Sequence, residues 1–371
     1  MMVRSRAPVR ICDIGGWTDT HFAEQGAVLN ISVALYAHCL LQQRDRPREK
    51  HTLYGYRTYS SGNDNGATIR ALDLDTELEI EDVRRLEYDG NLDLLKAAVK
   101  RLDVGVGFDA TIWADVPPGC GVGTSAAVAV AMIEGLGRFR RELLSPHEVA
   151  RMAQQLETEE LGLECGVQDQ FAAAYGGVCF IEIDYPNATV TRLDLPDHIL
   201  HELEERLVLA YVGQSRLSDA VHRRVIEGYR TGDASVREAL ETLRELPYQM
   251  KDALLAGDFA AVADVMNANW EAQKQLHPSI TNDTIENAFE VARDAGAAGG
   301  KVNGAGGGGS ITFLAEPGRE VVVREALAEQ AGCEMLPVSV SRAGAESWVV
   351  GQPAIHTEER RPMPGRASRQ E

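Results

Sequence analysis

The stretch VPPGCGVGTSAAVAVAM, residues 116–132, constrains the fold more than any other part of this chain. Gly119, Gly121 and Gly123 alternate, and Thr124, Ser125 and a run of alanines and valines follow at once. Small residues at that density read as a helix packed against other backbone, here predicted over 124–141. The glycines before it lack Cβ atoms and reach positive φ, so several N–H groups can point at one anion. The helix N-terminus behind them adds unpaired donors and a favourable dipole. A hydroxyl in the first turn has the chemistry to reach a magnesium ion. A tight strand-to-helix turn with no ligand is the plainer account of the same residues. The Walker phosphate loop is excluded, because it needs Lys and then Ser or Thr after its last glycine. The dinucleotide fingerprint fails too, since Thr124 stands where its third glycine belongs. The segment AGAAGGKV is a second near miss, with Ala295 and Val302 in place of the glycine and hydroxyl.

The rest of the chain supplies alternating secondary structure. Residues 2–12 and 27–42 read as strands, 92–102 as a helix, and FDATIWADVPPG, 108–119, as a strand running into the glycine loop. Ser145 and Glu148 form a capping box, with Pro146 in the first turn of a helix that ends near Gly162. Val149, Met152, Ala153 and Leu156 make its apolar stripe. Residues 176–184 and 206–213 read as strands, 216–280 as mostly helical with a break near RTGDAS, and 284–296 as a further helix. The glycine run KVNGAGGGGS is then followed by strand, helix and strand, the pattern of a split βαβ unit. From about residue 352 apolar periodicity ends, which predicts a disordered tail. Two domains are expected, 1–175 and 176–351, with the tail 352–371.

Three further segments carry chemistry-bearing residues. The run Gly304–Ser310 reads either as a flexible linker or as backbone that must approach a ligand; the flanking helix and strand favour the second. In GVQDQF, Asp169 either caps a helix or serves a site. In RAPVRICDIGGWTDT, Arg10 lies inside a predicted strand, where a charge is either a structural ion pair or a functional group. Asp19 either closes an Asx-turn or binds a ligand.

Together these segments resemble the GHMP kinases, the family of galacto-, homoserine, mevalonate and phosphomevalonate kinases. PPGCGVGTSAA is similar to its phosphate loop, KVNGAGGGG to its C-terminal glycine motif, and RAPVRICDIGGWTD to the N-terminal motif of its sugar kinases. GGWTDT resembles the fucose-kinase pattern; GVQDQFAAAYGG and GGKVNGAGGGG resemble the heptose-phosphate kinase branch. Val122 and Thr124 replace the commoner Leu and Ser. His21-Phe22 replaces the Pro-Pro that often follows in fucose kinases.

The resemblance implies an α+β, two-lobed fold, with an S5-like α/β N-terminal lobe and a ferredoxin-like C-terminal lobe. It implies transfer of phosphate from ATP to a sugar, at the anomeric hydroxyl, with Mg²⁺. A heptose 7-phosphate is the first substrate expected; an unphosphorylated sugar of the fucose, galactose, arabinose or glucuronate type is the alternative. A catalytically silent sugar and ATP sensor on the same fold is the rival, although both acidic residues below are kept. Under this resemblance Asp169 is the catalytic base with Arg10 beside it. Pro118, Gly119, Gly121, Val122, Gly123, Thr124, Ser125, Ala126, Gly306 and Gly307 hold the nucleotide, and Ser125 and Glu157 hold the metal. Gly16, Trp17, Asp19 and Gly307 meet the sugar, and Gly306–Gly309 closes over the site. Arg216 and Lys274 are candidate phosphate or carboxylate binders. Lys301 is expected at the rim without a chemical role, and Glu159 and Glu160 in solvent.

Composition narrows the partners. A formal charge of −19 over 371 residues opposes nucleic acid or an anionic membrane as the main partner. The sequence has no apolar run long enough to span a bilayer, and its first residues lack the apolar core of a secretory signal. Six cysteines without a CxxC pair suit reduced thiols in a cytoplasmic protein. Nine histidines without HxxxH or HExxH spacing point away from zinc. A monomer and a homodimer are both compatible with the sequence.

Overall fold

The structure, a computed structural model, describes residues 1–44, 49–51, 57–59, 65–215 and 219–351. The chain runs β1 (Met2–Ile14), β2 (Gln25–Gln43), β3 (Glu49–His51), β4 (Arg57–Tyr59), β5 (Ala67–Ala71), β6 (Thr76–Ile80), α1 (Asp93–Leu102) and β7 (Phe108–Ala114). The helices α2 (Thr124–Phe139), α3 (Pro146–Gln155) and α4 (Gln168–Tyr175) come next, then β8 (Val178–Asp184), β9 (Asn187–Arg192), α5 (Asp197–Arg206) and β10 (Leu207–Gly213). Four helices follow: α6 (Asp219–Thr231), α7 (Ala234–Ala256), α8 (Phe259–Leu276) and α9 (Asp283–Ala295). The described chain closes with β11 (Ala297–Val302), β12 (Gly309–Ala315), α10 (Glu320–Glu329), β13 (Glu334–Leu336) and β14 (Glu346–Val349). Arg216 and the expected tail 352–371 lie outside the described residues.

Among the described residues, eight strands form one sheet in the order β14-β1-β2-β7-β5-β6, with β8 on the first half of β2 and β9 on β8. Four strands form a second sheet, β11-β12-β10-β13. Taken with the helices between them, these make a β-α-β-β-α-β unit, the split βαβ arrangement of a ferredoxin-like lobe. Two lobes of mixed α and β content result, as expected.

The domain division drawn at residue 175 does not follow the sheets. β8, β9 and β14 all lie beyond it and all belong to the first sheet. The long β2 is the reason: its second half pairs with β7, leaving its first half, Gln25–Ile31, to be covered by β8. The segment AAGGKV is a correction as well. The sequence predicts no strand here, and the segment is strand β11. Gly299 is the physical cause: a Cβ there would lie 2.6 Å from the Ala263 carbonyl oxygen, so only glycine lets α8 close on this strand. The helix predicted to 141 ends at Phe139, and the helix predicted to reach Gly162 is regular only to Gln155. It continues as a wider π-helical turn over Leu156–Glu160.

The glycine-loop helix α2 is the centre of the first lobe. Ala127, Val130, Met132, Ile133 and Leu136 are fully buried under β1 and β2. Helices α7 and α8 of the second lobe also pack on these strands, and Leu246, Met250 and Met266 join the same core. The lobes are therefore fused by apolar contact and not by a linker.

Helix α4 is clamped at its far end. Gly177 N–H donates to Ser341 O at 2.7 Å, and a Cβ on Gly344 would lie 2.0 Å from Ala174 O. Replacing Gly344 by Ala therefore overpacks this contact. We expect a loss of about 1–3 kcal/mol in urea unfolding, and a wild-type midpoint would contradict this account of the clamp.

Candidate active site

Strand β1 is irregular on both sides of Arg10. Its register with β2 shifts between Pro8 and Val9 and again between Ile11 and Ile14, and Cys12 sits at φ 52°. Such irregularities re-aim side chains out of the regular alternation. Here they turn the Arg10 guanidinium, 5% exposed, into the space between the glycine loop and α4. Nε donates to Asp169 Oδ1 at 2.8 Å, and Nη1 donates to the Gly121 carbonyl at 2.6 Å. The Arg10 backbone N–H donates to Val122 O at 3.0 Å. Burial would lower the Arg10 pKa, but Asp13 and Asp169 outweigh it and raise the value.

Asp169 lies in the first turn of α4 and keeps 29% of its side chain exposed. It bears on Arg10 instead of capping its own helix. Asp19 does the capping: its Oδ2 accepts the Gln168 N–H at 3.1 Å. Gly166 makes room for this, since a Cβ there would lie 1.9 Å from the same oxygen. Burial, reinforced by the charge of Asp169, pushes Asp19 up to about 6. Arg10, Trp17, Asp19, Cys165, Asp169 and His222 line a pocket of about 210 Å³. Trp17 stacks on His222 at 4.9 Å between centroids, and its Nε1 has no hydrogen-bond partner.

Glu157 is carried inward by the π-helical turn and is 7% exposed, while Glu159 stays in solvent. Glu160 is half-buried and accepts from the Tyr88 hydroxyl. Burial pushes Glu157 up to about 7, with Asp169 adding to the rise. Its partners are Gln170 Nε2 and Cys165 Sγ, neither of them a cation.

The two glycine runs pack backbone against backbone. A Cβ on Gly121 would lie 2.9 Å from Asn303 O, and one on Gly304 would lie 2.8 Å from Gly121 O. Asn303 seals the seam: its Oδ1 accepts from Cys12 N–H and Thr312 Oγ1, both at 2.9 Å. On the far side of the first loop lies a more apolar cleft of about 370 Å³, lined by Leu92, Leu95, Ile112, Pro118, Thr124 and Ser125 among others. Ser125 is exposed there. Gly123 begins α2 with no side-chain cap, and the buried Thr124 hydroxyl has no partner. The loop thus separates an apolar cleft from a polar pocket, with free helix donors between them.

Most residues singled out in the sequence converge here, with exceptions. Val122 and Ala126 are buried in the core, so they have only backbone to offer. Gly306 and Gly307 do not cover the polar pocket; Gly304 and Ala305 line it. Gly307 N–H is spent on Ile280 O at 2.7 Å, and Gly307 lines a different cleft. Gly16 sits against the pocket wall, where a Cβ would be 3.0 Å from Asp13 Oδ2. Lys274 does not line the pocket and pairs with Glu271 at 2.8 Å. Lys301 is not at the rim: it is fully buried and donates to Asp13 Oδ1 at 2.5 Å. Asp13 and Asn303 went unrecognised in the sequence; Asp13 follows the predicted first strand and Asn303 opens the second glycine run, and neither carries a local signal of its partner.

Comparison with known proteins gives a consistent picture. Residues 93–177 match the model of the GHMP kinases N terminal domain, and residues 250–332 match that of the GHMP kinases C terminal domain. A D-glycero-alpha-D-manno-heptose 7-phosphate kinase of Campylobacter jejuni is 29% identical over 93% of this chain and 98% of its own length. A bifunctional fucokinase/GDP-fucose pyrophosphorylase of Arabidopsis thaliana is 28% identical over 87% of this chain, which spans 31% of that protein. The solved structure of a D-glycero-D-manno-heptose 1-phosphate kinase from Bacteroides thetaiotaomicron superposes with a TM-score of 0.74 at 28% identity, covering 94% of this chain and 100% of that one.

The raised Asp19 pKa has a thermodynamic consequence. A carboxyl raised from 3.8 to about 6 on folding favours the fold while protonated. That contribution is full below the unfolded pKa and is lost as pH rises through the folded one. Asp19→Asn should therefore lose less unfolding free energy than wild type between about pH 4 and about pH 7. Parallel urea-derived curves for the two proteins would contradict the assignment.

Proposed function

The chain belongs to the GHMP kinases, and on that premise we propose that it is an ATP-dependent sugar kinase that phosphorylates an anomeric hydroxyl. A heptose 7-phosphate is the first candidate substrate. The observation that carries the reading is the buried Arg10–Asp169 pair, placed where the polar pocket meets the glycine loop. The heptose 7-phosphate kinase relative, matched over nearly its full length, supports the substrate, and the heptose 1-phosphate kinase structure supports the sugar class. The fucokinase likeness keeps an unphosphorylated sugar as the second reading.

In this reading the adenine occupies the apolar cleft. The phosphates cross the loop from Gly119 to Ser125, where the α2 N-terminus supplies backbone donors and favourable charge. Pro118 shapes the cleft wall, and Val122 and Ala126 hold the loop from below. The sugar fills the polar pocket, with Asp19 accepting from its hydroxyls and Trp17 flanking the ring. Asp169 takes the proton from the attacking hydroxyl. Arg10 holds that carboxylate in place and stabilises charge developing at the transfer site.

Magnesium is the cation this reading calls for, although no cluster of three or more His, Cys, Asp or Glu side chains stands ready for a metal among the described residues. Glu157 is a buried carboxyl with no cation beside it, and the Thr124 hydroxyl has no partner. Ser125 and Glu157 would hold the ion, which would neutralise phosphate charge during transfer.

ADP release with ATP, Mg²⁺ and a panel containing heptose 7-phosphate, fucose, galactose, arabinose, mannose and glucuronate tests the reading. Sugar-dependent turnover is expected, falling by about a hundredfold or more in Asp169→Asn. ATP binding with no sugar-dependent turnover across the panel would favour a silent sensor instead.

A further inference from the structure

The mechanism above leaves one buried ion pair unused. Lys301 on β11 is fully buried, and its Nζ lies 2.5 Å from Oδ1 of Asp13 on β1. The Asp13 side chain is 2% exposed. The pair thus joins the two sheets without water. Burial pulls the lysine pKa down and Asp13 opposes it. Both Asp13 oxygens also accept from Gly304 N–H at 3.2 Å, which ties the pair to the second glycine run.

Such pairs rarely justify themselves by stability. A well-packed apolar pair of similar volume is often as stable, whereas removing one partner leaves a costly lone charge. The neighbour of this pair is the useful clue. Arg10 Nη1 lies 3.8 Å from the same Asp13 Oδ1 that Lys301 holds. Arg10 therefore stands between two carboxylates, and guanidinium groups favour bidentate carboxylate contacts. It gives Nε to Asp169 and Nη1 to the Gly121 carbonyl, and meets Asp13 only as a looser ion pair at 3.8 Å, without a hydrogen bond.

We propose that Lys301 is a positioning residue for phosphoryl transfer: by neutralising Asp13 it leaves the Arg10 guanidinium to Asp169 and the glycine loop. Without Lys301, Arg10 is the cation nearest the buried Asp13 carboxylate. Closing the 3.8 Å gap would then pull the guanidinium away from Asp169 and Gly121 together. The consequence for turnover rests on the kinase reading; the choice of Arg10 between two carboxylates does not.

Three variants separate this from a merely structural pair: Lys301→Met, Asp13→Asn and the double substitution. The crystal structure of Lys301→Met should show Arg10 hydrogen-bonded to Asp13 and no longer to Asp169. Its kcat should fall about tenfold or more, with KM for ATP changing by less than about threefold. Asp13→Asn removes the competitor, so its loss of kcat should be smaller. The double variant should follow Asp13→Asn, not the sum of the two. A structural pair predicts similar losses from both single variants, tracking their melting temperatures. That pattern, or an Arg10 still on Asp169 in Lys301→Met, would overturn the proposal. Should Lys301→Met not fold, the double variant decides: Arg10 is expected on Asp169, and its displacement there would overturn the proposal. If wild type shows no sugar-dependent ADP release, the kinase reading fails, and the position of Arg10 in these crystals still decides the inference.

Discussion

One buried guanidinium organises this molecule. Arg10 has almost no solvent, so its charge must be met by protein groups. It is met by a carboxylate from α4 and a carbonyl from the first glycine loop. Those two contacts fix the distance between the phosphate-loop analogue and the residue proposed as base. Everything nearby accommodates them: the irregular register of β1, the bare glycines of two packed loops, and the clamp at the far end of α4. An unpaired guanidinium at this depth would be among the costliest groups in the protein. The same demand that makes the arrangement expensive makes it rigid.

The surrounding field is acidic, and that too is functional logic. The whole chain carries a formal charge of −19, and the pocket gathers Asp19, Asp169 and, behind them, Glu157. Burial raises Asp19 and Glu157 well above ordinary carboxyls. A site of this kind is uncomfortable without added cation and suits a ligand that arrives with one. Under the proposed function it binds anions through backbone dipoles and one placed arginine, not through a basic surface, and a hydroxyl-rich ring satisfies the remaining acceptors.

Much of this was legible in sequence, for identifiable reasons. The strand, glycine loop and helix over 108–139 could be read because period-two alternation, bare glycines and small residues each carry a local physical signal. The roles proposed for Arg10, Asp19 and Asp169 were not local. Each residue had an innocent reading, and only their joint likeness to a family's motifs favoured the functional one. Four features escaped. Strand β11 was hidden because AAGGKV has weak strand propensity; close approach of α8 over Gly299 makes it a strand. The long-range additions β8, β9 and β14 depend on the uncovered half of β2, which no local pattern announces. The inward turn of Glu157 agrees with its place beside the apolar stripe; what escaped is the π-helical turn that carries it. The Asp13–Lys301 pair escaped, with Lys301 expected at the rim and Asp13 unremarked, because a buried charge reveals itself only through the partner that balances it.

The central claim is that the Arg10–Asp169 pair directs ATP's terminal phosphate onto a sugar's anomeric oxygen. Phosphorus NMR of a reaction containing ATP, Mg²⁺ and heptose 7-phosphate tests it most directly. The account predicts a new phosphate resonance coupled to an anomeric proton, formed by wild type and absent with Asp169→Asn. Inorganic phosphate as the only product, or the same sugar phosphate formed at the wild-type rate by Asp169→Asn, would contradict it.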